Sequence, residues 1–327
     1  MDATLQWLFD SDEPWTQYRA MMDLLELPEA VPEVRSARAR MLAHSQVKAL
    51  IANTEMWGER PVKRHNDASH PIYALSTLAD FGLRGDDPGM PEVIEKILAH
   101  QSSEGAFQTL VYIPKAFGGT DQDSWNWIAC DAPTVLYSLL AFGRGDEPPV
   151  KGALEHLVSL TTLNGYRCSA APELGRFKGP GRRDDPCPIA NVLALKALAL
   201  VPEQSDGDSA YRAAEMLLGH WQQQKEKKYY LFGVGSDFRK LKYPFVWYDI
   251  LHVCEVLSRF QFVYADPRFK EMLAVLTSQS DGAGRYTAKS MYTSWKGWSF
   301  SDKKNPSPWL TYLVLRIQKR VGGSSGQ

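Results

Sequence analysis

Three residue types that can hold a metal ion lie in two short segments of this chain. Asp185 and Cys187 flank Pro186, and His252 follows in a later apolar segment. A carboxylate, a thiolate and an imidazole form the ligand set of a zinc ion whose fourth position stays open for chemistry. The sequence therefore predicts a zinc site at Asp185, Cys187 and His252, with Cys130 as a further candidate ligand.

The elements that must position these residues repeat along the chain. The turn that begins at Phe81-Gly82 recurs at Phe142-Gly143, and apolar helical stretches precede and follow each turn. Later stretches continue the plan at 189–200 with 211–220, 250–260 with 269–276, and 309–317. The first helix of each pair is the more apolar one, which is typical of a buried inner helix with an outer partner. We predict an all-α fold, an α/α barrel or toroid of about five to six helix pairs with inner and outer rings. An open superhelix uses the same local pattern.

The repeats and the composition predict how the chain is organised. We expect an N-terminal helical cap at 1–60, the repeat domain at 61–320 and a flexible tail at 321–327. The 37 Lys and Arg residues nearly balance 38 Asp and Glu residues, which disfavours nucleic acid as a partner. No apolar run reaches the roughly 18 residues of a transmembrane segment, so we expect a cytoplasmic protein. The four cysteines are expected to be reduced, with Cys168 and Cys254 serving in packing.

At this point the chain resembles the α/α-toroid proteins: squalene–hopene-type terpenoid cyclases, protein prenyltransferase β subunits and lanthipeptide cyclases. The run from Gln101 through Gly105 to Phe107 is similar to the Gln-x-x-x-Gly-x-Trp repeat of the squalene cyclases, with Phe in place of Trp. Asp185-Pro186-Cys187 resembles the Asp-x-Cys of the prenyltransferase zinc site, and His252 the histidine that follows it. The lanthipeptide cyclases instead use two cysteines and one histidine, which implies Cys130, Cys187 and either His70 or His252.

The resemblance also implies a substrate. Prenyltransferase β subunits hold an isoprenoid diphosphate with basic residues just before their Asp-x-Cys, where this chain has Arg182 and Arg183, and Lys242 precedes a later aromatic run. Four aromatic residues near helix starts are expected to line the lumen: Trp127, Trp247, Tyr248 and Trp309. The leading hypothesis is a zinc-assisted enzyme acting on a hydrophobic, isoprenoid-like small molecule. We expect no nucleotide cofactor, and no second subunit is evident.

Two alternatives stay open. A metal-free cyclase would use a buried carboxylic acid, Asp131 or Asp249, to protonate its substrate, and the repeat alignment places His70 at the position of Asp131. The segment Asp184-Asp185-Pro186 lacks the first Asp and the Thr-Ala of the squalene–hopene acid motif. A non-catalytic binding or scaffold protein is the other alternative. In that case Asp185 is a helix cap and His252 a core histidine.

Overall fold

The computed structural model describes residues 3–64, 66–175, 177, 184–226, 228–229 and 231–323, and this part of the chain is mostly helical. Its α-helices are α1 (Ala3–Phe9), α2 (Pro14–Asp23), α3 (Pro32–Ala43), α4 (Ser45–Glu55), α5 (Pro71–Phe81), α6 (Met90–Leu98), α7 (Ala132–Ala141), α8 (Pro148–Ser159), α9 (Pro188–Leu198), α10 (Pro202–Ser205), α11 (Asp208–Gln222), α12 (Ile250–Leu257), α13 (Pro267–Thr277) and α14 (Pro308–Gly323). Two strands, β1 (Thr109–Tyr112) and β2 (Asp123–Asn126), pair antiparallel between α6 and α7.

Proline and capping residues start many of these helices. Helix α5 begins at Pro71 behind His70, whose ring accepts a hydrogen bond from the Ile72 N–H, and it ends at Gly82 with a φ of 92°. Proline fits the first turn because its missing N–H has no partner there, and glycine adopts the left-handed conformation without strain. The helices predicted from the apolar pattern all form. The hairpin is an addition to the predicted all-α fold, and the β-branched and aromatic residues of β1 favour it.

The chain divides into two compact units. Unit 1 comprises residues 1–50, 236–245 and 249–327, and unit 2 comprises 51–235 and 246–248. The predicted cap at 1–60 therefore falls partly in each unit, and α4 crosses the boundary. None of the helices in the described ranges is both long and apolar enough to cross a membrane.

Unit 2 is built around three buried helices that pack in succession, α5 on α7 and α7 on α9. Every residue of α5 and α9 is buried, whereas α6 and α8 bury only one face each. This is the predicted difference between the first and second helix of a pair. In unit 1 the wholly buried α12 packs against α13 and α14.

The glutamine motif ties one repeat to the next within unit 2. The Gln101 side chain donates hydrogen bonds to the carbonyl oxygens of Gly105 (2.6 Å) and Pro149 (2.7 Å), the second at the start of α8. Gly105 has a φ of 99°, and a Cβ there would lie 2.7 Å from the carbonyl oxygen of Gly152. The motif therefore requires glycine at this position for both conformation and space.

Candidate functional site

A large cavity in unit 2 has a volume of about 840 Å³. Small-molecule sites in proteins typically have volumes of about 300–1,000 Å³. Its wall is mainly apolar and includes Val62, Ile113, Ile128, Ile189, Phe232 and Trp247. The cavity therefore has the size and surface to take a hydrophobic molecule.

The edge of this cavity combines exposed apolar and basic side chains. Phe117 and Leu231 line it although they are 64% and 63% exposed, and the exposed Lys63 and Arg64 line it as well. The Lys63 ammonium lies 5.3 Å from the centre of the Tyr112 ring. Among the described residues of the wall, none is a carboxylate or an imidazole. An amphiphile with an anionic head matches this distribution of charge.

Three cysteine thiols meet on the wall of the cavity: Cys130, Cys168 and Cys187. Hydrogen-bond contacts with the thiols of Cys168 and Cys187, together with burial, raise the pKa of Cys130. The pKa of Cys187 is raised to about 12: its contact with Cys130 lowers the pKa, but the contact with Cys168 and burial outweigh this effect. All three groups are therefore linked, and the two whose pKa is raised are protonated at neutral pH. Sequence reasoning assigned Cys168 to packing and missed its place here.

Of the predicted zinc ligands in unit 2, Cys130 and Cys187 line one cavity and Asp185 lines another pocket. Cys130 and Cys187 are in contact, as their shared position at inner-helix starts predicts. Asp185, however, lines a second pocket of about 410 Å³, which does not include Cys187. His252 belongs to unit 1. Within the described ranges, no group of three or more His, Cys, Asp and Glu side chains, the three thiols included, has an arrangement that could hold a metal ion.

His70 and Asp131 lie close enough in unit 2 for the Asp131 charge to act on the imidazole. The His70 Nδ1 accepts the Ile72 N–H at 3.3 Å, and its Nε2 lies 3.1 Å from the Arg60 carbonyl oxygen. Because Nδ1 accepts, the proton resides on Nε2, and both ring nitrogens are engaged. Burial lowers the pKa of His70. The hydrogen bond to Arg60 and the charge of Asp131 raise it, but by less. These contacts make His70 a helix cap.

Several predicted residues belong to unit 1. Asp249 caps α12 by accepting a hydrogen bond from the His252 N–H at 3.0 Å. Burial raises the pKa of Asp249 to about 7, although the charge of Lys242 acts to lower it. The buried Lys242 also lies 3.7 Å from an Asp237 carboxylate oxygen. The His252 ring stacks on Phe245 with 4.6 Å between ring centres.

The aromatic residues predicted to line a lumen have different surroundings. Trp247 lines the large cavity and packs against Phe232 at 4.8 Å. Trp127 instead donates its indole N–H to Glu104 at 2.6 Å and packs against Ala106 and Ala171. Trp309 is buried within unit 1 beside Tyr243 and Tyr312.

Tyr248 contacts His220, a histidine that the sequence analysis did not identify as a site residue. The Tyr248 hydroxyl lies 3.0 Å from Nδ1 of the buried His220. Burial lowers the pKa of His220 to about 4, so the ring is neutral at physiological pH. His220 lines the same pocket as Asp184, Asp185 and Glu215. Arg182 and Arg183 lie outside the described residues.

A buried ion pair at the centre of unit 2 also went unpredicted. Lys196 of α9 lies 2.8 Å and 3.1 Å from the two carboxylate oxygens of Asp80 in α5. The Tyr137 hydroxyl of α7 donates to Asp80 at 2.6 Å, and its ring centre lies 4.1 Å from the Lys196 ammonium. A single lysine in an otherwise apolar helix was the available signal, because buried lysines are nearly always paired.

Comparisons with known proteins place few constraints on this chain. No protein-family model and no curated protein matches it. Solved structures with low similarity include a protein from Actinoplanes, with 14% identity, a TM-score of 0.45, and coverage of 94% of this chain and 90% of that one. The type II terpene cyclase MstE from Scytonema has 13% identity and a TM-score of 0.45, with coverage of 95% and 88%. The polysaccharide lyase BACCELL_00875 has 11% identity and a TM-score of 0.43, with coverage of 96% and 91%. The named activities of these neighbours differ, and they assign none to this chain.

Proposed function

We propose that this protein binds a hydrophobic, isoprenoid-like small molecule in the large cavity of unit 2 and transforms it as a terpenoid cyclase or prenyltransferase does. The observation that carries the proposal is the apolar wall around about 840 Å³ of space. Burying an apolar molecule there is favourable by roughly 25 cal/mol for each Å² removed from water. The reaction type comes from the resemblance of the sequence motifs to those enzymes.

Lys63 and Arg64 form a basic edge of the cavity, and this edge is consistent with an anionic group, such as a diphosphate, at one end of the ligand. Lys63 and Arg64 would hold this group while the apolar chain enters past Phe117 and Leu231. The predicted Arg182 and Arg183, which lie outside the described residues, are further candidates for this role.

Binding of geranylgeranyl diphosphate and of geranylgeraniol by isothermal titration calorimetry tests the proposal. Ile189→Trp fills the cavity from the first turn of α9 and should abolish binding of both compounds. Leu200→Trp, at an exposed position just after the same helix, is the matched control. Unchanged affinity in a folded Ile189→Trp variant would overturn the proposed site.

A charge test separates the two ends of the ligand. Lys63→Glu with Arg64→Glu should weaken diphosphate binding by about tenfold or more while leaving the alcohol unaffected. Lys151→Glu changes an exposed lysine of α8 that does not line the cavity, and it should affect neither compound. Equal losses for both compounds in the double variant would contradict the assigned role of the basic edge.

A non-catalytic binding protein is the second candidate, because the apolar wall and the basic edge of the cavity are sufficient for binding alone. An acid-initiated cyclase needs a proton donor, for which Asp131 and Asp249 are the predicted residues. Burial raises the pKa of Asp249 to about 7. Mass spectrometry after incubation of the purified protein with geranylgeranyl diphosphate decides between the candidates. A product that disappears in Asp131→Asn or Asp249→Asn supports the acid mechanism, and unchanged ligand supports binding alone.

Zinc stays a prediction of the sequence, and we derive no step through it because Asp185 and Cys187 line different pockets. X-ray fluorescence of the purified protein tests it. A stoichiometric ion that is lost in Cys187→Ala would support the prediction, and an ion retained in that variant would contradict it.

A further inference from the structure

Three short segments of unit 2 bring the cavity thiols together. Ile128 pairs antiparallel with Ala170 in an isolated bridge, and two backbone hydrogen bonds of 2.9 Å flank this pair. They run from the Ala129 N–H to the Ser169 carbonyl oxygen and from the Ala171 N–H to the Trp127 carbonyl oxygen. Cys130 follows Ala129 where the first segment turns into α7, and Cys168 precedes Ser169, so the two cysteines adjoin a bonded pair of residues.

This placement matters for disulfide chemistry. The hydrogen bond between Ala129 and Ser169 holds the adjoining residues Cys130 and Cys168 near each other, and both side chains line the cavity. A disulfide requires two cysteines whose Cα atoms lie within about 4.4–6.8 Å. The backbone pairing therefore favours a bridge between Cys130 and Cys168.

Cys187 is held beside the same middle segment by a second bridge. Pro186 pairs with Arg167, and the Cys187 N–H donates to the Tyr166 carbonyl oxygen at 2.8 Å. Its thiol contacts those of both Cys130 and Cys168. A third thiol in reach of two others can attack a disulfide between them and take over one partner.

We propose that Cys130 and Cys168 form an oxidisable dithiol on the cavity wall, that an apolar organic hydroperoxide is its co-reactant, and that Cys187 is the exchanging thiol. In the first step a sulfur bonds to the terminal peroxide oxygen, the O–O bond breaks, and the alcohol leaves with the thiol proton. In the second step the other thiol attacks that sulfur, the S–S bond forms, and water leaves. Two thiols are oxidised while one hydroperoxide is reduced to an alcohol.

The cavity selects the oxidant, because an apolar hydroperoxide partitions into an apolar space that hydrogen peroxide does not favour. Raised thiol pKa values make the reaction slow at neutral pH, since the thiolate is the reacting form. The inference does not depend on the proposed function, because it needs the thiols and the cavity alone.

Cumene hydroperoxide added to the reduced protein at about pH 8.5 tests the proposal. Intact mass should fall by two hydrogens, and peptide mapping of the wild type should find the bridge between Cys130 and Cys168. Equimolar hydrogen peroxide should react at least several-fold more slowly. A bridge that joins other cysteines as the main product, sulfinic acids without a bridge, or equal rates for the two oxidants would overturn the proposal.

Serine variants sharpen the assignment. Cys168→Ser should prevent the Cys130–Cys168 bridge, and Cys187→Ser should keep it while removing exchanged species. Cys254→Ser is the matched control, because Cys254 is buried in α12 of unit 1. The mapping of the wild-type protein decides the question even where a variant does not fold.

Discussion

The buried pair of Lys196 and Asp80 gives the sharpest stability prediction for this fold. Both side chains are only 3% exposed, and the pair joins α9 to α5 while Tyr137 adds a hydrogen bond from α7. Lys196→Met keeps the length of the side chain but leaves the Asp80 carboxylate without its buried cation. Removing one partner of such a pair typically costs about 3–5 kcal/mol.

The double variant separates the charge effect from packing. Replacing both groups by apolar ones, as in Asp80→Leu with Lys196→Met, removes the buried charges together, and such replacements are often neutral or stabilising. We expect its free energy of unfolding to lie within about 2 kcal/mol of the wild type, well above the Lys196→Met single variant. Tyr137→Phe should cost about 1 kcal/mol or somewhat more, because it removes one hydrogen bond to a charged group.

Urea unfolding followed by far-ultraviolet circular dichroism provides the measurement, with the slope against urea concentration checked for constancy. Hydrogen exchange at α5 and α9 assigns the loss to unit 2. A Lys196→Met variant that loses less than about 1 kcal/mol would refute the reasoning, as would a double variant that loses the sum of both single effects.

Three further predictions concern other parts of the molecule. Burial raises the pKa of Asp249 to about 7, so between about pH 4 and 7 the folded state holds a proton that the unfolded chain has lost. The free energy of unfolding should therefore fall as the pH rises through this range. Urea titrations at several pH values measure this dependence, which Asp249→Asn should flatten. Gly105→Ala should lower the stability measured by thermal unfolding by about 1–3 kcal/mol, because Gly105 has a φ of 99° and lies close to the carbonyl oxygen of Gly152. Gly152→Ala is the control and should be tolerated, because its Cβ would meet only a side-chain nitrogen at 3.6 Å. If the proposed function holds, geranylgeraniol should slow the alkylation of Cys130 at alkaline pH, measured by peptide mapping, while equal rates with and without it would count against the ligand.

Much of the helical plan could be predicted from the sequence. Apolar periodicity, together with proline and glycine at helix ends, was enough to predict α5 to α9 and α11 to α14, because these signals act within one or two turns. The four-residue α10 was not predicted. The difference between wholly buried and half-buried helices followed from the same pattern. The hairpin at 109–126 could not be predicted so readily, since its strands are four residues each and their pairing is a tertiary choice.

The thiol cluster shows where sequence reasoning reached its limit. Alignment of the repeats placed Cys130 and Cys187 at equivalent helix starts, and their thiols are in contact. Cys168 lies in an irregular segment between repeats, where no periodicity indicates a direction for its side chain. Its place beside Cys130 depends on the pairing of Ile128 with Ala170, which is a tertiary contact between distant parts of the chain.

Asp185 and Cys187 of the predicted zinc site line different pockets for a local reason. Asp185 and Cys187 are two residues apart, and a shared metal requires both side chains to converge on one point. The intervening Pro186 is paired to Arg167, and the Cys187 N–H is bonded to Tyr166, after which the chain turns at once into α9. Cys187 therefore lies with the other thiols on the large cavity, whereas Asp185 lines the pocket of His220. Two residues close in sequence point to the same place only if the backbone between them allows it. Here the backbone pairing sets Cys187 beside two other thiols instead of beside the Asp185 carboxylate.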